Sequence, residues 1–394
     1  MVFGGGVNQL SLIKTAKRKN LFTVVIDPNP DAPAKGLCDV FEVIGPKDLM
    51  NTIKICEKYK IDGIVTCQME NPLFVMAQVA DKMGFIFPKY EQIVNARNKY
   101  RMKQCFLETG VPCAIGFLLR KENLLDKDTQ KRLFYPAIIK PVDSFSSRGV
   151  YKVDSLDEVE KYIDETIWFS TTGEFIFEEY MAGPEVSVES ITFNGETNII
   201  QVTDKTITKY PNTVEIGHVQ PSGLEQMKQD KIGLVVKNAI KALGLDNCAT
   251  HTEVILTEEG PKVVELGARL GGDFITSHLV PQSIGVNIEE ATIDVALGYK
   301  PILFKTKNEG AAIRYLQLPE GQVLDVGNWH QVREMEGVIL ADISIKKGNI
   351  IPKITDSAKR PGFVITCGAD RQEALLNADL AVKKLCDFIL VKVN

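Results

Sequence analysis

Two glutamates stand inside apolar runs twelve residues apart, and that placement restricts the fold more than any other feature of the chain. Glu253 lies in His251-Thr-Glu-Val-Ile-Leu256, and Glu265 in Lys262-Val-Val-Glu-Leu266. Both runs are short and rich in β-branched residues, so they read as neighbouring buried strands. The Glu258-Glu259-Gly260-Pro261 segment between them supplies the turn of a hairpin. Two ionised carboxylates buried side by side repel each other and need a cation. Hard oxygen donors suit Mg²⁺ carrying a phosphate-bearing substrate. Arg269, four residues beyond Glu265, adds a fixed positive fork for a phosphate or carboxylate oxygen.

Composition narrows the class. A chain of 394 residues has room for two to four domains. Its net charge of −5 provides no basic field for nucleic acid. No apolar run reaches membrane length, and no signal peptide is recognised. The eight cysteines (38, 56, 67, 105, 113, 248, 367 and 386) form no CxxC pair, so they read as reduced core residues of a cytoplasmic protein. The start is unusual. Met1-Val-Phe3 runs straight into Gly4-Gly5-Gly6, as if the chain began in mid-strand or its start codon were misassigned.

The first hundred residues alternate strand and helix. Strands are expected at Val2-Phe3, Phe22–Ile26, Val40–Ile44 and Gly63–Cys67, with helices at Gln9–Lys19, Leu49–Tyr59 and Pro72–Met83. That order specifies a parallel α/β unit. The glycine run and Asp27 imitate a dinucleotide-binding fingerprint, but Gln9 occupies its third glycine position. A tight turn beside a small substrate is the better reading.

Four further signals come in order along the chain. Lys99 opens a helix that Gly110 should stop. Lys140 sits in the apolar strand Ala137-Ile-Ile-Lys-Pro141, where a lysine implies a buried anion. The small-residue loop Asp143-Ser144-Phe-Ser146-Ser147-Arg-Gly149 offers hydroxyls and backbone N–H groups to phosphate oxygens, although it is no GxxxxGK[ST] loop. The segment Phe175-Ile-Phe-Glu178-Glu-Tyr180-Met181-Ala-Gly-Pro-Glu185 delivers an acidic pair, turns and resumes. There Glu178 could orient a purine amino group through the adjoining hinge backbone, and Glu185 could accept two hydrogen bonds from a ribose diol.

In this order and spacing the signals resemble the ATP-grasp superfamily of carboxylate-activating ligases. Within it the chain is most similar to the carboxylate–amine ligases of the L-amino-acid ligase type. The likeness covers most of the sequence and implies an α/β fold of four parts. These are an N-terminal parallel α/β pre-ATP-grasp domain (1–97), the two subdomains of an α+β ATP-grasp domain (98–177 and 178–305), and a C-terminal α/β lid subdomain (306–394). It implies ATP and Mg²⁺ or Mn²⁺ as cofactors, a small carboxylate and an amine as substrates, and allows a homodimer. By position, Lys99 and Lys140 would hold the α- and β-phosphates, with Ser144, Ser146 and Ser147 closing over the triphosphate. Glu178, Tyr180 and Met181 would form the adenine hinge, and Glu185 would take the ribose. Glu253 and Glu265 would bind the metal, and Arg269 would steady the acyl phosphate. Either Lys205 or Lys209 would also face the nucleotide.

One departure bears on the branch. Many members carry asparagine two residues after the second metal glutamate, where this chain has Gly267. The L-amino-acid ligase group also lacks it. On the acceptor side, His218 is a candidate for contact with the substrate carboxylate or a departing proton. Asp273, preceded by Gly271 and Gly272, stands where that group can carry a bulky aromatic. This exchange suggests a pocket open to a larger or cationic amine. Arg314 either faces the site or pairs on the surface. Two alternatives are another acceptor, such as bicarbonate or a thiol, and a non-catalytic nucleotide-binding protein of the same fold.

Overall fold

The computed structural model describes residues 1–209 and 212–393. Strands Val2–Phe3, Val24–Asp27 and Val40–Val43 pair in parallel, and helices Leu10–Arg18, Leu49–Tyr59 and Leu73–Met83 pack with them. The expected strand at Gly63–Cys67 reduces to two isolated bridges, Val65 to Val2 and Cys67 to Leu270. Gly4 has φ +94°, and a Cβ there would lie 2.3 Å from the Met69 sulfur. The Asp27 carboxylate accepts the Gly5 N–H at 2.7 Å and the Asn29 N–H at 2.8 Å. It therefore closes its own loop, and buried Gln9 donates to the Cys67 carbonyl. The dinucleotide likeness is local turn chemistry.

Helix Tyr90–Arg97, unforeseen in the sequence, leads into helix Lys99–Thr109. Asn98 caps the second helix by accepting from Tyr100 N–H and Arg101 N–H, worth about 1 kcal/mol. Gly110 ends it at φ +73°, as its position predicts. The next unit is a four-stranded antiparallel sheet, in the order Gly116–Arg120, Glu174–Glu179, Ala137–Pro141, Tyr151–Val153. Helix Leu156–Trp168 seals its apolar face.

Three of the remaining strands, in the order Ile350–Ile351, Gly321–Asp325, Leu390–Val393, form a small antiparallel sheet, and the other eight build one large antiparallel sheet. Its order is Gly260–Gly267, Cys248–Thr257, Glu185–Phe193, Glu196–Ile207, Glu215–Gln220, Gly310–Tyr315, Gly362–Gly368, Val338–Ile343. The last three strands extend the sheet that carries the two glutamates, so the C-terminal segment reaches the same surface. Helices Gln226–Ala242 and Ile288–Ala296 bury its apolar positions, and Arg371–Asp387 packs against its distal strands. The 12-residue strand Glu196–Ile207 is hard to see in the sequence because it buries polar residues, Gln201 and Thr203 among them.

Candidate active site

The hairpin forms about the turn that the sequence marks. From Thr257 opposite Gly260 the pairing is regular up to Val254 opposite Val263; there the register slips by one residue at Val264, and that slip makes Glu253 and Glu265 direct cross-strand partners. Directly opposed residues point to the same face with Cβ atoms about 5 Å apart. Each carboxylate has a lysine. Lys205 Nζ lies 3.1 Å from Glu253, 2.5 Å from Glu185 and 3.4 Å from Glu215. Lys99 Nζ lies 2.6 Å from Glu265 and donates to the Ser144 carbonyl at 2.9 Å. Lys205, with its side chain 2% exposed, is thus the lysine that turns inward, whereas Lys209 is exposed. Burial raises the Glu185 carboxyl to about 7, aided by Glu253 and Glu215 and opposed by Lys205. For Glu253, burial is outweighed by Lys205 and His251, which hold it well below the carboxylate range.

The anion that buried Lys140 requires is Glu178, at 2.6 Å. Lys103, one helical turn after Lys99, reaches the same carboxylate at 2.9 Å. All three side chains are at most 5% exposed. Burial opposes the charge on Glu178, yet Lys140 and Lys103 win and lower its pKa. Lys140 is raised in turn, because Glu178 and the more distant Glu265 and Glu253 outweigh its burial. The carboxylate of Glu178 is therefore engaged by two lysines, and the hinge is left to the residues after it. The backbone N–H groups of Glu179 and Tyr180 donate to Ile115 and Pro136, while Tyr180 and Met181 face the cavity. Lys103 escaped the sequence reading because it sits among apolar helix positions with no motif of its own.

Residues 144–148 arch over this site. Ser146 and Ser147 adopt φ +62° and +57°, a left-handed pair that turns the loop over the carboxylates. Two cavities meet there. A smaller one of ≈140 Å³ contains Lys99, Lys140, Ser144, Ser147, Glu178, Tyr180, Met181 and Glu185. A larger one of ≈420 Å³ contains Glu70, His218, His251, Arg269, Gly272 and Asp273. Phe145, Ser146, Lys205, Glu215, Glu253 and Glu265 line both. The carboxylate pair is the shared wall.

In the larger cavity Arg269 is anchored by Glu70 at 2.7 Å, which also holds Arg97 at 2.7 Å. Burial opposes ionisation of Glu70, but Arg269 and Arg97 lower it to about 2. Glu70 lies in a bend before helix Leu73–Met83, and its sequence context gives no warning. It explains Gly267, since a Cβ there would sit 3.0 Å from the Glu70 carboxylate. Gly271 has a similar cause. A Cβ there would lie 2.6 Å from both Glu189 and His251, which hydrogen-bond each other. Burial lowers the His251 pKa less than Glu189 raises it, and the ring is held protonated to about 9. A Cβ at Gly272 would meet only the Gln68 amide oxygen, at 3.7 Å.

Asp273 corrects the sequence expectation. Its carboxylate is already bound bidentately by Arg360 at 2.7 Å and 2.7 Å, and His218 Nε2 lies 3.0 Å away. Arg360 and His218 overcome burial and keep Asp273 ionised far below its usual range. It is not an open acceptor for a cationic amine. The arginine that reaches the site from the C-terminal segment is Arg360, which no motif marks. Arg314 instead pairs with Asp379 at 3.0 Å.

No cluster of three or more His, Cys, Asp or Glu with metal-ligand spacing occurs among the described residues. Mg²⁺ is ordinarily held by one or two carboxylates, with the remaining ligands from water and substrate phosphates. The opposed pair Glu253 and Glu265, with its oxygen-only donors and neighbouring lysines, fits that arrangement. All eight cysteines are free, and no helix among the described residues is long and apolar enough to cross a membrane.

Residues 133–277 match the ATP-grasp domain, and residues 314–386 match the L-amino acid ligase C-terminal domain 2. Alanine–anticapsin ligase of Bacillus subtilis is 28% identical over 271 residues, 62% of this chain and 55% of that protein. D-Alanine–D-alanine ligase of Flavobacterium psychrophilum is 28% identical over 196 residues, 48% of this chain and 56% of that one. The chain thus spans about half the length of these curated relatives. The L-amino acid ligase of Bacillus licheniformis superposes with a TM-score of 0.82 at 20% identity, covering 100% of this chain and 98% of its own. The fold is shared along the whole length.

Proposed function

We propose that this chain, an ATP-grasp protein carrying an L-amino acid ligase C-terminal domain, is an ATP-dependent carboxylate–amine ligase. It would join a small carboxylate, an amino acid or a related acid, to an amine, with release of ADP and phosphate. The observation that carries this reading is the shared wall. A lysine-lined cavity suited to phosphates meets a second cavity holding an anchored arginine, and Glu253 and Glu265 stand between them.

A carboxylate is a poor electrophile at neutral pH. Transfer of the γ-phosphoryl group of ATP to its oxygen gives an acyl phosphate. Attack by the amine then expels phosphate and forms the amide. Such transfer depends on in-line placement and charge neutralisation rather than on a covalent enzyme group. Lys99, Lys140 and Lys205 would neutralise the phosphates. Mg²⁺ or Mn²⁺ bound by Glu253 and Glu265 would screen the charge between them. Arg269, held by Glu70, would hold the activated carboxylate in the larger cavity. The loop of Ser144, Ser146 and Ser147 would exclude water from the acyl phosphate, which hydrolyses where water enters. Tyr180 and Met181 would flank the base, and Glu185 would meet the ribose. Reduced cysteines fit a cytoplasmic location. The lysine and carboxylate set is complete, which opposes a purely binding role.

The test is ADP formation with ATP and Mg²⁺ in a matrix of amino acids and amines. Release that requires both partners is the expected outcome. ATP binding without turnover for every pair would overturn the ligase reading.

A further inference from the structure

Beyond Asp273 and Arg360 lies a third cavity of ≈260 Å³. It shares Asn8, Gln68, Asp273, Ser357 and Arg360 with the larger cavity, so the two are continuous around one ion pair. Their linings differ. The larger cavity is rich in charge, whereas the third has an aromatic floor of Phe274, Tyr315 and Phe363 with Val7 and Ile343 beside it. The rings of Phe274 and Phe363 lie 4.5 Å apart and those of Tyr315 and Phe363 6.2 Å apart. The Arg360 guanidinium covers the Tyr315 ring at 3.6 Å while gripping Asp273.

The backbone is bent to make this partition. Asp273 and Phe274 are consecutive non-glycine residues at φ +52° and +60°. Bulky residues rarely adopt that region, and such strain persists where the surroundings enforce it. Here the Arg360 pair holds Asp273, and the tilted contact with the Phe363 ring holds Phe274. The bend sets Asp273 on the boundary of the two cavities and Phe274 against the third alone.

We propose that the third cavity is the side-chain subsite for the incoming amine, and that it takes a bulky apolar or aromatic group. This rests on the ligase reading above and specifies its acceptor. The charge of Asp273 is neutralised by Arg360, so the partition offers no anion to a cationic side chain. Asp342 is at the exposed rim, 3.6 Å from Arg333, and does not form the floor. A dry cavity of about 150 Å³ accepts benzene, so ≈260 Å³ leaves room for one aromatic side chain. The reacting amine would stay in the larger cavity near Arg269 and His218, and its side chain would pass the ion pair onto the aromatic floor.

The experiment compares amine preference in the wild type and two variants. Ser344→Trp places a bulky ring at the exposed mouth of the third cavity, away from the core. It should lower the ratio of kcat/KM for a phenylalanine-sized amine over a glycine-sized one by at least tenfold. Phe363→Ala enlarges the floor and should shift the same ratio towards larger amines. ADP formation with an amine preference unchanged in both variants would overturn the subsite alone. Absence of ADP formation by the wild type with every acid and amine pair would overturn the ligase reading and the subsite with it.

Discussion

In the smaller cavity nearly every charge stands on a strand or in the first turn of a helix, as with Lys99, Lys140, Glu178, Glu185, Lys205, Glu253 and Glu265. In the larger one Glu70, Arg269, Asp273 and Arg360 all stand on connecting segments. The difference has a chemical basis. A phosphate site needs fixed charges at set distances, and regular backbone fixes them. A substrate site must vary in shape, and loops held by ion pairs vary without disturbing the sheet. The first kind of site leaves a charge inside an apolar run, where it is conspicuous. The second joins residues from remote parts of the chain, each ordinary in its own context.

This contrast between the two cavities is open to test by substitution. The largest effect is expected at Glu178→Ala, which strands Lys103 and Lys140 together in the interior. Removing one partner from a buried ion pair costs roughly 3–5 kcal/mol, so urea unfolding should show a loss of that order. A loss below about 1 kcal/mol would mean that the triad is more hydrated than its burial indicates. Glu265→Gln should leave the fold intact and lower turnover by roughly 10²–10³-fold, as removal of a group that stabilises transition-state charge does. Full ADP formation in that variant would sink the metal assignment.

The next effect tests the loop-built cavity through pH. Glu70 is held at about 2 against an ordinary 4.5. A lowered carboxyl pKa stabilises the fold above the unfolded value, and the contribution disappears as pH falls through the folded one. The shift corresponds to about 3 kcal/mol. The stability gap between wild type and Glu70→Gln should therefore be full above pH 4.5 and close towards pH 2. A gap constant across that range would show that Glu70 is not held ionised by its arginines. The smallest effect is expected at Asp273→Asn, which keeps one acceptor oxygen for Arg360 but loses the second and the charge. The amine KM should rise roughly tenfold, about 1.4 kcal/mol, with ATP affinity unchanged. An equal change in both constants would show that the two cavities are not independent.

Legibility in the sequence divides along the same line. The hairpin and its turn could be read from two short apolar runs joined by a Gly-Pro segment, but regular pairing from that turn would set Glu253 opposite Val264, and the irregularity that brings Glu265 opposite Glu253 had no sign in the sequence. The glycine stop at Gly110 was readable because few residues accept a left-handed backbone. Gly267 was visible as a departure, but its cause was not. That cause is the Glu70 carboxylate, 197 positions earlier in the numbering. Asp273 was misread for the same reason. An aspartate after two glycines offers a free charge in sequence, and only its contact with Arg360 shows the charge to be engaged. The choice of Lys205 over Lys209 likewise depended on which side chain the long strand turned inward.

The α/β class, the carboxylate hairpin and the cations that surround phosphate were written in the order of residues. All of these come from local periodicity and from the cost of burying charge in an apolar run. Which charges remain available was settled in three dimensions. Ion pairing neutralises Glu178 and Asp273 and anchors Arg269, and each pairing acts over a few ångströms between segments far apart along the chain. The order of residues does not encode that distance except through the fold.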